Sequence, residues 1–459
     1  MAQGGSARTL DVTSGVIWRQ LLALCVPIFL SSFFQQAYNL ANTFVVGQFG
    51  GKLALGGIQS CMVLGDLCIG FSLGVGSGCA VVAGQYFGAG DEGRLRLSVH
   101  TAVTISLVIG AAFSATGVLL LEPILALMGT PAELMGEALA FGRLYFGAML
   151  FTLVYNMGAA LMRSVGDAKT PSRIVICTCL VNIALDLVLV AWLRLDALGC
   201  GIATAISMAL SAVLMCARLM TVDANWRLRP SELRLTPSIA RAMVRVGLPL
   251  GLQSSAYTVS NLIVQASVNS FGTDAVAAWG LQRRLDSIVW LASDALGVAV
   301  TTFAAQNFGA RNYRRMRQSL HTSLVLTACI IGSLSAVLVI FVPQLTRLFI
   351  ADAGVIADTT LIMRFIAPFY VCYSLMDNVA GIIRGAGESL RPMLLTIFGT
   401  CVFRVVWLLA VVPVHHSIEM VLVSYPVTWL LTGLLFVIYY RCGHWLQHAQ
   451  DRERATQRA

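Results

Sequence analysis

An all-α integral membrane protein is predicted, with twelve transmembrane helices in two six-helix lobes related by a pseudo-twofold, parallel repeat. Three observations predict it. The 459 residues are 57% hydrophobic and only 12% charged, against about 25% charged in a soluble domain, and mean hydropathy is +0.79. Apolar runs long enough to cross a bilayer, about twenty residues each, recur along the whole chain. Motifs of the first half return in the second at a nearly fixed offset. Length alone suggests about three soluble domains, but this much apolar surface makes lipid the solvent.

The opening stretch from Pro27 to Gly50 is too apolar for a soluble helix surface, yet it carries Gln35, Gln36, Asn39 and Asn42. Its scheme returns from Pro249 to Gly272, with Pro27 to Pro249, Asn39 to Asn261 and Phe49 to Phe271 each separated by 222. Apolar runs place helices near 17–46, 53–82, 97–121, 138–162, 172–194, 198–220, 242–271, 275–305, 319–343, 359–383, 392–413 and 419–440. The first is too long for a cleaved signal core. The polar segment 221–241, with Pro230 and Pro237, reads as a cytoplasmic linker between an N-lobe of 1–220 and a C-lobe of 242–441. The charged tail 442–459 reads as cytoplasmic and, from Gln447, disordered.

Gln85-Tyr-Phe-Gly-Ala matches Gln306-Asn-Phe-Gly-Ala, and Arg163-Ser-Val-Gly-Asp matches Arg384-Gly-Ala-Gly-Glu, both at 221. Six helices per half make both copies enter from the same side, a parallel repeat with a cleft expected between the lobes. Small residues at four-residue spacing, Gly70, Gly74 and Gly78 in one half and Ser293, Gly297 and Thr301 in the other, predict close helix approach.

Lys and Arg set the orientation. With a cytoplasmic N-terminus, 23 of the 31 basic residues fall in inside segments, Arg8 among them, and only Lys52, Arg194 and Arg347 outside. Both termini are expected inside a cell membrane, and the net charge of +9 reflects topology rather than nucleic-acid binding. The twelve Cys lie mostly in apolar runs without a Cys-x-x-Cys pair, so they read as packing residues. No phosphate-binding loop pattern occurs.

An ionisable side chain within a span is a functional candidate, because a charge there costs roughly 2.5–3.5 kcal/mol or more. Asp66, Asp186, Asp286, Asp294 and Asp377 are so placed. Asp286 sits beside Arg283 and Arg284, which suggests a structural ion pair. Asp186 lies four residues after Asn182, so both share one helical face. Asn39 and Asn42 form a similar pair, and Thr204 adds an oxygen on the sixth helix. A hydrogen-bonded polar core without an ion is the alternative.

The duplicated proline-bearing opening helix, Tyr155-Asn156 before Arg163-Ser-Val-Gly-Asp-Ala-Lys-Thr-Pro171, Asn182-x-x-x-Asp186 and Ile383-Arg384-Gly-Ala-Gly-Glu together resemble the multidrug and toxic compound extrusion (MATE) family. The resemblance covers residues 17–440. It implies a two-lobed, cofactor-free antiporter that expels amphiphilic, often cationic small molecules against Na⁺ or H⁺. In the DNA-damage-inducible-type branch it implies an ion-coupling cluster in the N-lobe, whose members fall here on Asn182, Asp186 and Thr204. The fourth member departs: Asn42 stands where that branch carries an Asp. Asn42 can still offer a carbonyl oxygen, and one carboxylate among neutral oxygens suits Na⁺, with protonation of Asp186 as the alternative.

Asp377 occupies the position of Asn156 in the other repeat and is a candidate cation contact; a packing acid paired with Arg364 or Arg404 is the alternative. Gln35, Asn39, Asn156, Tyr257, Asn261, Gln265 and Arg284 are cleft candidates on polarity, and Pro27 a hinge. Expected partners are an amphiphilic small molecule and membrane lipid, with a monomeric protein. A lipid-linked-saccharide flippase and an integral membrane enzyme are the competing readings.

Overall fold

The structure, a computed structural model, describes residues 10–458, so Arg8 lies outside it. The first half holds α1 (Ile17–Val45), α2 (Gly51–Gly88), α3 (Glu92–Leu127), α4 (Ala132–Gly147), α5 (Met149–Ser164), α6 (Lys169–Asp186) and α7 (Asp196–Thr221). The second holds α8 (Pro237–Asn269), α9 (Thr273–Gly309), α10 (Tyr313–Arg347), α11 (Ala353–Ile366), α12 (Tyr370–Gly385), α13 (Leu390–Thr396), α14 (Phe403–Ala410) and α15 (Ile418–Cys442), followed by α16 (Trp445–Arg458). No strand occurs among the described residues.

Nine helical stretches among them are long and apolar enough to cross a membrane. One of these, Ile17–Gly88, holds both α1 and α2, and α4 with α5 makes a tenth as a bent pair. With α8, which is less apolar than those stretches, the all-helical order resolves into the twelve expected spans.

The duplication is written into the backbone. α3 and α10, α4 and α11, α5 and α12, and α6 and α13 start 221 residues apart (313 minus 92, 353 minus 132, 370 minus 149, 390 minus 169). Left-handed positions recur at the same interval: Gly51 and Gly272, Gly90 and Arg311, Gly166 and Gly387. Glycine adopts that conformation without a Cβ penalty. Asp91 and Asn312, 221 apart, cap α3 and α10 by accepting from the backbone N–H of Arg94 and Arg315.

Two compact units result, one built on Leu30–Gly251 and the other on Val12–Phe29 with Leu252–Ala459. The division avoids the 221–241 segment, where the sequence suggested it. Instead it cuts α1 two residues after Pro27 and α8 two residues after Pro249. The opening turns of α1 therefore pack in the second unit and those of α8 in the first.

In the first unit, Gly74 and Gly78 of α2 face Gly251 and Gly247 of α8. A Cβ at either α2 position would run into the backbone nitrogen opposite. The connecting segment 222–236 is clamped along α3. The Arg229 N–H donates to His100 Nε2 (3.1 Å) and the Thr236 N–H to Thr101 Oγ1 (3.2 Å). His100 Nδ1 is 2.7 Å from the Arg96 carbonyl, so the proton belongs on Nδ1. Arg96 and Arg229 both donate to Glu232. The hydrogen bond from Arg96, then that from Arg229, hold the Glu232 carboxyl below its ordinary range. A lowered carboxyl stabilises the fold above its unfolded value and loses that contribution as pH falls through the folded one. The clamp is therefore expected to persist at neutral pH and to loosen only in acid, below the ordinary carboxylate range, which hydrogen exchange over 222–236 would report.

Three local features differ from the sequence reading. The fourth span is two helices, α4 and α5, meeting at 42° around Ala148, with no proline at the joint. π-helical turns interrupt the ladder at Val46–Gly50, Leu187–Trp192 and Ile397–Val402, and the second begins at the residue after Asp186. The tail expected to be disordered is instead the helix α16. It is anchored because Trp445 is buried, stacks on Tyr440 at 5.3 Å and donates from Nε1 to the Tyr440 carbonyl. Arg391 also meets His448 Nδ1 at 2.9 Å. Trp445→Ala should release α16 with little effect on the spans, giving protease cleavage between 443 and 450 that the wild-type chain resists.

Candidate functional site

In the first unit, three polar stripes converge. α1 presents Gln35, Tyr38, Asn39 and Asn42, spaced by three, one and three residues. α6 presents Thr178, Asn182 and Asp186, and α7 presents Cys200, Thr204, Ser207 and Ser211. These are helical intervals, so each set lies on one face. With Asp66 of α2, Tyr145 of α4, and Thr152, Tyr155 and Asn156 of α5, most of these residues enclose a cavity of about 160 Å³. Drug-sized ligands occupy roughly 300–1,000 Å³. The cavity suits a small cation with a few waters.

Asn42 and Asp186 are not among the residues that line the cavity. Asp186 is fully buried and lies close enough to Cys200 and Tyr38 to interact with both electrostatically. Cys200 Sγ in turn donates to Asn42 Oδ1 at 3.2 Å, which ties α7 to α1. Both carboxylate oxygens of Asp186, both amide atoms of Asn182 and the hydroxyls of Thr204 and Ser207 are buried without a hydrogen-bond partner. Each such atom costs about 1–3 kcal/mol when nothing satisfies it. Carboxylate, amide and hydroxyl oxygens are the donor set a hard monovalent cation takes, so these residues fit a Na⁺ ion. Tyr38, Cys200 and Ser207 were not singled out from the sequence, although each stands three or four residues from a candidate on its own helix.

In the second unit, Asp377 of α12 accepts from Arg384 Nη2 at 2.9 Å, with side chains 19% and 12% exposed. Its partner is neither Arg364, which is exposed, nor Arg404, which lies 4.0 Å over the Tyr425 ring and donates to Thr428. The other carboxylate oxygen rests against Gly297 of α9, where a Cβ would strike it. Asp294 and Tyr373 are close neighbours. Removing one partner of a nearly buried pair strands a charge, at about 3–5 kcal/mol. Arg384→Gln should therefore destabilise strongly, and adding Asp377→Asn should restore much of the loss in thermal unfolding.

Asp286 differs from expectation: it accepts from Gln282 Nε2 (2.5 Å) and the Tyr370 hydroxyl (3.0 Å) instead of pairing with Arg283 or Arg284. The cleft candidates divide. Gln35, Asn39 and Asn156 line the first-unit cavity, and Tyr257 lies near Tyr373 and Asp377. Asn261 and Arg284 are exposed, and Gln265 donates to Asn269. α1 runs unbroken through Pro27.

The MatE family model matches residues 27–188 and again 249–408, once in each half. The chain belongs to the MatE family. This efflux-transporter family and the relatives of the chain point to a transporter rather than an enzyme. Its relatives include "Probable multidrug resistance protein YoeA" of Bacillus subtilis (strain 168), 29% identical and covering 93% of this chain and 94% of the relative. The "FAD transporter" of Shewanella oneidensis is 26% identical, covering 92% and 94%. Among solved structures, a MOP superfamily transporter from Pyrococcus furiosus superposes with a TM-score of 0.89 at 20% identity, covering 97% and 99%. A MATE structure in the bent conformation gives 0.89 at 19% identity, covering 99% and 100%. At such identities these two show the fold alone. The MatE chain is thus a multi-pass membrane transporter handling small molecules.

Proposed function

We propose that this MatE-family transporter is a secondary active exporter, sending amphiphilic, often cationic small molecules out of the cell in exchange for Na⁺ or H⁺. Asp186 is the coupling carboxylate, and Asn182, Thr204 and Asn42 supply the neutral oxygens around it. The reading rests on one observation: a fully buried, unpartnered carboxylate beside a small polar cavity in the first unit. One carboxylate balances one Na⁺, which favours sodium. Protonation of Asp186 in place of sodium binding is the second reading. Asp377 is the proposed cation contact in the second unit, and Pro27 the proposed bending point of α1.

Purified protein in liposomes, loaded with a cationic dye and given Na⁺ and pH gradients separately, tests this. Export driven by at least one gradient is expected. Dye movement indifferent to both gradients would remove the antiport reading.

A further inference from the structure

A second cavity, unrelated to the transport residues, opens in the first unit between the start of α3 and the connecting segment. It measures about 650 Å³, and Asp91, Arg94, Arg96, His100, Glu232 and Arg234 are among its lining residues. Four guanidinium groups gather there when Arg229 is included, against two carboxylates. Glu232 is shared, taking Arg96 and Arg229 together. Asp91 spends Oδ1 on the Arg94 N–H and holds the Arg94 side chain only at 3.6 Å. Arg234 makes no ion pair among the described residues. The local balance is therefore about two positive charges in excess. The clamp on Glu232 and the buried, doubly hydrogen-bonded His100 hold the floor of the cavity in place before any ligand arrives.

We propose that this cavity binds a phosphate group, carried by either an anionic phospholipid headgroup or a soluble phosphate compound, with Arg94, held only by the long contact to Asp91, and Arg234 as its guanidinium donors. Guanidinium forks match phosphate oxygens in geometry as well as charge. The segment that supplies Arg234 lies between two spans, where phospholipid headgroups also lie. Because the cavity is built from both α3 and the 222–236 segment, occupancy should tighten that segment against the unit.

The test uses the full-length protein in nanodiscs and follows its thermal unfolding midpoint. Phosphatidylcholine discs are compared with discs containing phosphatidylglycerol, and with phosphatidylcholine discs given inorganic phosphate or chloride at equal ionic strength. A rise with phosphatidylglycerol alone supports a lipid ligand. A rise with phosphate but not chloride supports a soluble one. In the paired variant Arg94→Gln/Arg234→Gln the rise should vanish, with apparent affinity for the effective probe falling about tenfold or more. In Arg227→Gln, on the same segment but outside the cavity, the rise should remain. The proposal is overturned by a wild-type midpoint that neither probe raises, by a rise that survives in the paired variant, or by equal loss in Arg227→Gln. The wild-type comparison of phosphate with chloride stands even where the paired variant folds poorly.

Discussion

Asp186→Asn is expected to abolish gradient-driven export while leaving the protein folded and in the membrane. The substitution is close to isosteric and removes the only full charge among the oxygens of Asn182, Thr204 and Asn42. An amide neither balances a cation nor takes up a proton in the working range, so both versions of the coupling reading fail together. Coupled export should fall to the leak level, and downhill dye equilibration should be the only movement left. A drop in substrate affinity with coupling intact would place Asp186 in the substrate path instead. Asn182→Leu and Thr204→Val should weaken coupling without eliminating it, because each removes one neutral oxygen and leaves the charge.

The second large effect concerns packing. Gly78→Leu places a four-carbon side chain where α2 meets the Gly247 backbone of α8, and Gly74→Leu does the same at Gly251. Backbone atoms cannot rotate aside as a side-chain end can, so the helices must separate. Overpacking usually costs about 1–3 kcal/mol; here the adjacent glycine pairs along the same seam are disturbed as well, and the upper end or beyond is expected. Gly433→Leu on α15, where an added Cβ meets nothing within 4 Å, is the matched control. Thermal unfolding in detergent should show a large fall for the α2 variants and little change for the control.

The architecture was legible because burial in lipid and duplication both leave marks in one dimension. Apolar length gave the spans, and the 221-residue offset gave the two halves. The side chains of α1, α6 and α7 gather for the same reason, since residues three and four apart must share a face. What the sequence concealed depends on contacts across helices. The Asp377–Arg384 pair spans two turns of one helix, yet Arg364 and Arg404 compete for it until neighbouring helices are placed. The tail reads as disordered on charge alone, because its order comes from Trp445 finding Tyr440. The π turn after Asp186 and the bend between α4 and α5 have no proline to announce them. The split of α1 and α8 between units likewise follows from packing that composition does not record.

Direct ion binding tests the central claim most closely. Purified wild-type protein, titrated with radioactive sodium at several pH values while proton release is recorded, should bind one monovalent cation equivalent per chain, either Na⁺ or a proton that Na⁺ displaces. Asp186→Asn should bind neither, whereas Asp377→Asn should retain that equivalent. Undiminished sodium binding or proton release in Asp186→Asn would contradict the account.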